Sequence, residues 1–186
     1  MLTVVTHPFP ELISQRLKLR QVMPEDVNEV FFLRSDKRVM KFLDRQPAKS
    51  VEEAQQFIEK LKDIEDKQDG ITWAITLKED VKFIGTICYW NILKEHYRAE
   101  IGYVLHPDFQ GKGIMQEAIC IVLEYGFKTM NIHSVEANVN PNNKASITLL
   151  ERNNFKREGY FKENYYFNGQ FFDSAIYSLL VSDYNK

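Results

Sequence analysis

Gln110-Gly111-Lys112-Gly113-Ile114-Met115 decides the fold, because it leaves one strand and opens a long helix. Upstream, Glu100 to His106 reads as a strand that Pro107-Asp108 ends. Downstream, Gly111 to Met130 is helical and apolar nearly all round, with a polar stripe through Glu117, Glu124 and Lys128, so it should be deeply packed. Val135, Ala137 and Val139 alternate as the next strand. A strand, a helix and a strand in close succession predict a right-handed crossover and a parallel pair. The two glycines let the backbone approach a ligand closely. The helix start adds unpaired N–H groups and the positive end of the helix dipole, and together they cradle a phosphate or pyrophosphate. Lys112 would add charge from the rim.

Three phosphate motifs compete for this loop. The P-loop spacing is absent. The dinucleotide fingerprint fails because Gln116 stands at its third small position and no acid follows about 20 residues on. Gln/Arg-x-x-Gly-x-Gly/Ala fits at Gln110, Gly113 and Met115, with Met in place of the last small residue. A ligand-free glycine turn is the plain alternative.

Further out, Leu17 and Leu19 alternate with charged neighbours as a strand, and Pro24-Glu25-Asp26 opens a helix. Residues 36–48 read as irregular. Ser50, with Glu53 three residues on, predicts a capping box before an amphipathic helix ending near Asp69-Gly70. Ile71 to Leu77 and Phe83 to Leu93 read as strands with a turn at Glu79-Asp80, and Pro141 to Asn153 as a helix. Two last strands flank the Asn168-Gly169 turn. The pattern is one α/β domain with a mixed sheet, no repeat and no linker.

Composition limits the function classes. In 186 residues, 24 Lys and Arg oppose 26 Asp and Glu, so the strong basic footprint of a nucleic-acid binder is missing. Arg152, Lys156, Arg157 and Lys162 read as a solvated face. Cys88 and Cys120 lie far apart in apolar stretches, as buried free thiols of a reducing compartment would. No spacing of metal ligands is present, and no apolar run approaches a membrane span. The expected setting is cytoplasmic, without metal, membrane or direct nucleic-acid contact.

The sequence resembles the GNAT acetyltransferases, and more closely their RimJ/RimL-type branch, which acetylates protein N-termini. The likeness is carried by Ala99-Glu100-Ile101-Gly102-Tyr103 and by His106-Pro107-Asp108-Phe109 running into the glycine loop and Gln116-Glu117-Ala118. Asn140-Pro141-Asn142-Asn143-Lys144-Ala145-Ser146 and Asn168-Gly169-Gln170-Phe171-Phe172-Asp173 continue it. It covers about residues 12–182 as one domain, leaving 1–11 as an N-terminal extension.

The resemblance implies a largely antiparallel sheet of about six or seven strands with about four helices, splayed into a V-shaped cleft. It implies acetyl-coenzyme A as donor, held by backbone at Tyr103, Val104 and Leu105, by the loop Gln110, Gly111, Lys112, Gly113, Ile114 and Met115, and by Asn143. The N–H of Tyr103 or a neighbour would stabilise the thioester oxygen. Glu100 is the implied base, unless a β-bulge changes its register. Ser146 is the implied acid for the leaving thiolate, since the tyrosine many relatives use one turn later is Leu150. Phe42, Trp90, Asn91, Tyr97 and Tyr166 would line the acceptor site. The implied acceptor is a protein N-terminal amine; a polyamine, amino acid or antibiotic, or a non-catalytic coenzyme A-binding module, is the alternative. An exposed edge after the last hairpin would suit a homodimer.

Overall fold

The computed structural model describes residues 2–184. It holds one eight-stranded sheet in the order β1-β2-β3-β4-β5-β6-β8-β7. The strands are β1 (Leu12–Ile13), β2 (Leu17–Gln21), β3 (Ile71–Leu77), β4 (Asp80–Leu93), β5 (Arg98–Leu105), β6 (Ser134–Val139), β7 (Lys156–Phe167) and β8 (Gln170–Leu180). The helices are α1 (Val27–Ser35), α2 (Lys37–Met40), α3 (Val51–Asp66), α4 (Ile114–Lys128), α5 (Lys144–Arg152) and α6 (Val181–Tyr184). The elements beyond the expected count are β1, α2 and α6, each too short to carry a readable periodicity. Every pairing is antiparallel except β5 with β6, the crossover pair.

Alternation explains the strands. Leu17 and Leu19 of β2 are fully buried, and β3 pairs with it from Leu17↔Leu77 to Gln21↔Trp73. The sheet separates two apolar layers. On one face Ala99, Ile101 and Leu105 of β5 pack with α4 and with Leu150 of α5. On the other, Val104 packs with Val30 and Leu33 of α1 and Ala54, Ile58 and Leu61 of α3. Because β5 presents both faces, anything lodged beside it can be approached from two sides.

Helix α4 buries side chains on most of its circumference, as its composition requires. Gly126 is needed there, because a Cβ would stand 2.8 Å from Cζ of the buried Tyr89 ring. Tyr89 in turn donates its hydroxyl to the Val122 carbonyl at 3.0 Å. Cys120 is exposed rather than buried, since it falls on the polar stripe of Glu117 and Glu124. The capping box also differs: the Glu53 carboxylate accepts from the Lys49 N–H at 2.9 Å, and the Ser50 hydroxyl makes no cap bond.

The first residues are packed on this body. Leu2 and Val4 are buried in the larger core, and the Trp73 indole donates to the Pro10 carbonyl at 2.8 Å. At the far end, Asn168 (φ +48°) and Gly169 (φ +82°) both take the left-handed conformation that a two-residue hairpin requires. That leaves β7 as one edge strand, with β1 at the other.

Candidate functional site

The β5–β6 ladder runs Arg98↔Ser134, Ala99↔Val135 and Glu100↔Glu136, and then stops. The His106 N–H donates to Ile84 of β4 at 2.8 Å. Backbone groups alternate sides along a strand, so those of Ile101, Tyr103 and Leu105 turn away from β4 toward the splayed gap. An extended ligand entering it would find strand-like hydrogen bonding.

Below the gap lies the glycine loop. Gln110 donates its side-chain amide to the Leu105 carbonyl at 3.0 Å, tying the loop to the strand end. Gly111 (φ +71°) and Gly113 (φ +73°) both sit in the left-handed region, and Gly113 is the N-cap of α4. Arg16 clamps the loop from beneath. Its Nε donates to Glu117 at 2.6 Å and its guanidinium also to the Lys112 carbonyl at 3.1 Å. Glu117 accepts as well from the Ser14 hydroxyl at 2.6 Å and the Arg16 N–H at 2.7 Å. The exposed loop 111–113 and the first turn of α4 are therefore held on a fixed base. Gln110, Gly111, Gly113, Ile114 and Met115 line a cavity of about 610 Å³ with Arg38, Lys144 and Arg152 around it. Lys112 does not line it; its ammonium lies over the Phe109 ring, 5.7 Å from the centroid.

A second cavity of about 420 Å³ shares Phe42, Leu43, Tyr103, Val104, Asn143 and Ser146 with the first. The two spaces meet at a hydroxyl pair: Tyr103 on β5 and Ser146 on α5 are 2.7 Å apart. Burial pushes the Tyr103 phenol up to about 12, with Ser146 opposing the shift. Ser146 also donates its N–H to the Asn143 side chain at 3.2 Å, so Asn143 caps α5 while facing both cavities. Leu150 is fully buried. The phenol near Ser146 thus comes from the neighbouring strand, not from the helix.

Glu100 borders the smaller of these cavities. A bulge does occur, but in β4: Trp90 pairs with Glu100 and Leu93 with Arg98, so Asn91 and Ile92 together oppose Ala99. Asn91 takes φ +47° to make it. The alternation of β5 therefore holds, and Glu100 shares its face with Gly102 and Val104. Burial raises the Glu100 pKa, while the Asn91 side chain, the Asn138 backbone N–H and the charge of Arg98 pull it back. Its register partner Glu136 is neutralised by an ion pair with Arg98. Among the described residues Glu100 is the one acidic side chain lining the cavity.

Of the expected acceptor residues, Phe42 and Trp90 line this cavity. Gly102 sits tightly against Cys88, since a Cβ there would stand 3.2 Å from Cys88 Sγ, and in ordinary contact with the indole, 3.5 Å from Trp90 Nε1. Asn91 lies instead in a side pocket of about 260 Å³ with Glu100, Arg98 and Glu136. Tyr97 and Tyr166 line neither cavity. Tyr97 (φ +51°) uses its carbonyl to accept from the His133 and Ser134 N–H groups, which starts β6. Tyr166 is 64% exposed and packs on Phe171. Strand alternation turns its neighbour Tyr165 inward, where the hydroxyl donates to Asp44 at 2.8 Å. Gln46 donates to Asn168 at 2.6 Å, and these two bonds fasten the last hairpin to the loop after α2. Residues 36–48, read as merely irregular, also bring Arg45 into the cavity wall beside Arg34 of α1. No periodic signal marks an arginine in such a loop. Among the described residues no three metal-type side chains converge, and no helix is long and apolar enough to cross a membrane.

Comparison with known proteins adds the following. The family described as an acetyltransferase (GNAT) domain matches residues 16–156. An uncharacterized N-acetyltransferase, YoaA, of Bacillus subtilis is 32% identical over 172 residues, covering 92% of this chain and 97% of that protein. The [ribosomal protein uS5]-alanine N-acetyltransferase of Escherichia coli is 34% identical over 107 residues, 57% of this chain and 55% of its own. The crystal structure of spermidine N-acetyltransferase from Vibrio cholerae, in complex with CoA and spermine, superposes with a TM-score of 0.83 at 24% identity, covering 93% of this chain and 100% of that one.

Proposed function

This chain belongs to the acetyltransferase (GNAT) domain family and is an acetyl-coenzyme A-dependent N-acetyltransferase, and on that premise we propose that its acceptor is the α-amine of a polypeptide N-terminus. The observation that carries the proposal is the convergence of Glu100, the open backbone of β5 and the Tyr103–Ser146 pair on one gap between two cavities. When bound, acetyl-coenzyme A supplies the activated acetyl thioester. The α4 N-terminus and both left-handed glycines would receive its diphosphate, and the gap-facing amides of β5 would hold the pantetheine arm.

Glu100 takes a proton from the incoming amine. The Tyr103 N–H, facing the gap, offers a donor where negative charge develops on the thioester oxygen. As the amine nitrogen bonds to the acetyl carbon and the C–S bond breaks, Ser146 would give its hydroxyl proton to the departing thiolate. It would be reprotonated by the Tyr103 phenol 2.7 Å away, which would regain its proton from solvent.

The demands of the acceptor favour an α-amine. Its pKa is about 7.7–8.0 against about 10.4 for lysine, so about a seventh is neutral at pH 7, against about 0.04% of lysines. A single half-buried carboxylate suits the first case. A polycation would also meet two arginines and only one carboxylate in this cavity.

Thiol release measured with N-terminal peptides and with spermidine tests this directly. Peptides should exceed spermidine in kcat/KM by at least about tenfold. Equal or reversed preference would discard the N-terminal reading.

The clamp beneath the loop carries its own expectation. Arg16→Ala removes two side-chain bonds that orient the α4 N-terminus. Arg16 is half-exposed, so the loss is modest: calorimetry should show acetyl-coenzyme A bound about 3–10-fold more weakly, with kcat little changed. Unchanged affinity would mean the loop holds its shape without Arg16.

A further inference from the structure

Six of the eight arginines have an evident place. Arg16, Arg20, Arg38 and Arg98 each hold a carboxylate: Glu117, Asp26, Asp36 and Glu136. Arg152 and Arg157 are exposed. Arg34 and Arg45 differ. Both line the acceptor-side cavity, and the buried Nε of each has no hydrogen-bond partner. Among the described residues neither forms an ion pair. Arg34 stacks on Phe57, 3.9 Å from the ring centroid, and Glu53 attracts it only from a distance.

Two guanidiniums sharing one cavity repel each other. Burial lowers the pKa of both, and with Arg34's repulsion it brings Arg45 down to about 10. A half-buried charge with no ion-pair partner is costly, and a ligand carboxylate would supply that partner. Position sharpens the reading. Arg45, Cys88 and Glu100 line the same cavity, and the Cys88 thiol feels the charge of both the cation and the carboxylate.

The geometry points to an acceptor that carries a carboxylate within a few bonds of its amine, the carboxylate received by Arg45 with Arg34 behind it. The inference rests on the transferase reading above and narrows its acceptor. Because Glu100 and Arg45 line one cavity, an acceptor whose amine is directed to Glu100 would offer its acid group to a guanidinium fork, whose planar donors match a carboxylate in pairs. The same chemistry has two sources: an Asp or Glu side chain at the second position of a peptide, or the α-carboxylate of a free amino acid.

The test uses C-terminally amidated peptides that begin Ser-Asp, Ser-Asn or Ser-Lys and are otherwise identical, with free aspartate alongside. Turnover is measured for the wild type, Arg45→Gln and Arg34→Gln. Binding of each peptide to coenzyme A-saturated protein is followed by calorimetry. The Ser-Asp peptide should exceed Ser-Lys in kcat/KM by about tenfold or more, and Arg45→Gln should shrink that ratio to within about threefold. Arg45→Lys, which keeps the charge, should retain part of it and guards against a folding artefact. Aspartate exceeding every peptide would keep the carboxylate inference and refute the N-terminal acceptor. If nothing is acetylated, the calorimetric ratio still decides. Equal or tighter binding of Ser-Lys, or an acid preference untouched by both substitutions, overturns the inference.

Discussion

Glu100→Gln should lower kcat by about 10²–10³-fold at pH 7 while leaving acetyl-coenzyme A affinity within about threefold, because it removes a proton acceptor without removing bulk. The burial that raises the Glu100 pKa sets the pH behaviour. Below that pKa the carboxyl is protonated and cannot serve as base, so wild-type activity falls on the acid side as both Glu100 and the acceptor amine gain protons. The variant should keep only the limb due to the amine, with a shallower slope. Stability moves the other way. A carboxyl whose pKa is raised in the native state contributes stability at low pH, and that contribution is lost as pH rises through the raised value. Above it the native protein carries a half-buried charge that glutamine does not. The variant should therefore melt above the wild type at pH 7–8, with the gap closing toward pH 4. Unchanged turnover across this range would remove Glu100 from the mechanism. A lower melting temperature at neutral pH would show that its carboxylate is needed to join β5 to β6.

Removing either hydroxyl at the junction should have the next largest effect. Ser146→Ala and Tyr103→Phe are each expected to cut kcat by about 10²-fold, since protonation of the leaving sulfur is general acid catalysis. The two oxygens are 2.7 Å apart and would act as one relay, so the double variant should lose little more than either single one. Both single variants should bind acetyl-coenzyme A nearly as tightly as the wild type, because backbone groups do most of the holding. Rapid-mixing measurement of thiol release, with calorimetric titration of each variant, separates the two quantities. Equal turnover in Ser146→Ala rules out its role. Fully additive losses would mean the two hydroxyls act separately.

These expectations mix two kinds of information. The strand alternation of Leu17 and Leu19, the glycine pair before Ile114 and the Asn168-Gly169 turn depend on neighbours a few residues apart, and all are legible in order along the chain. Glu100 keeping the face of Gly102 and Val104 also follows from period two. The bulge does not, for it is set by how β4 meets β5, and it appears at Asn91. Tyr97 and Tyr166 were plausible liners by type. One is turned to a backbone role by its left-handed φ, and the other is carried outward by the parity of β7.

The order of residues alone determined the α/β architecture, the glycine turn that opens the long helix and the crossover, because periodicity, turn chemistry and helix termini are short-range; the carboxylate and serine candidates rested on the family resemblance. Folding in three dimensions decided where the β5–β6 ladder stops, which phenol reaches Ser146 and which arginines line the cavity without an ion pair among the described residues. Those outcomes join elements tens of residues apart, and only the packing of the two layers against one sheet brings them within reach of each other.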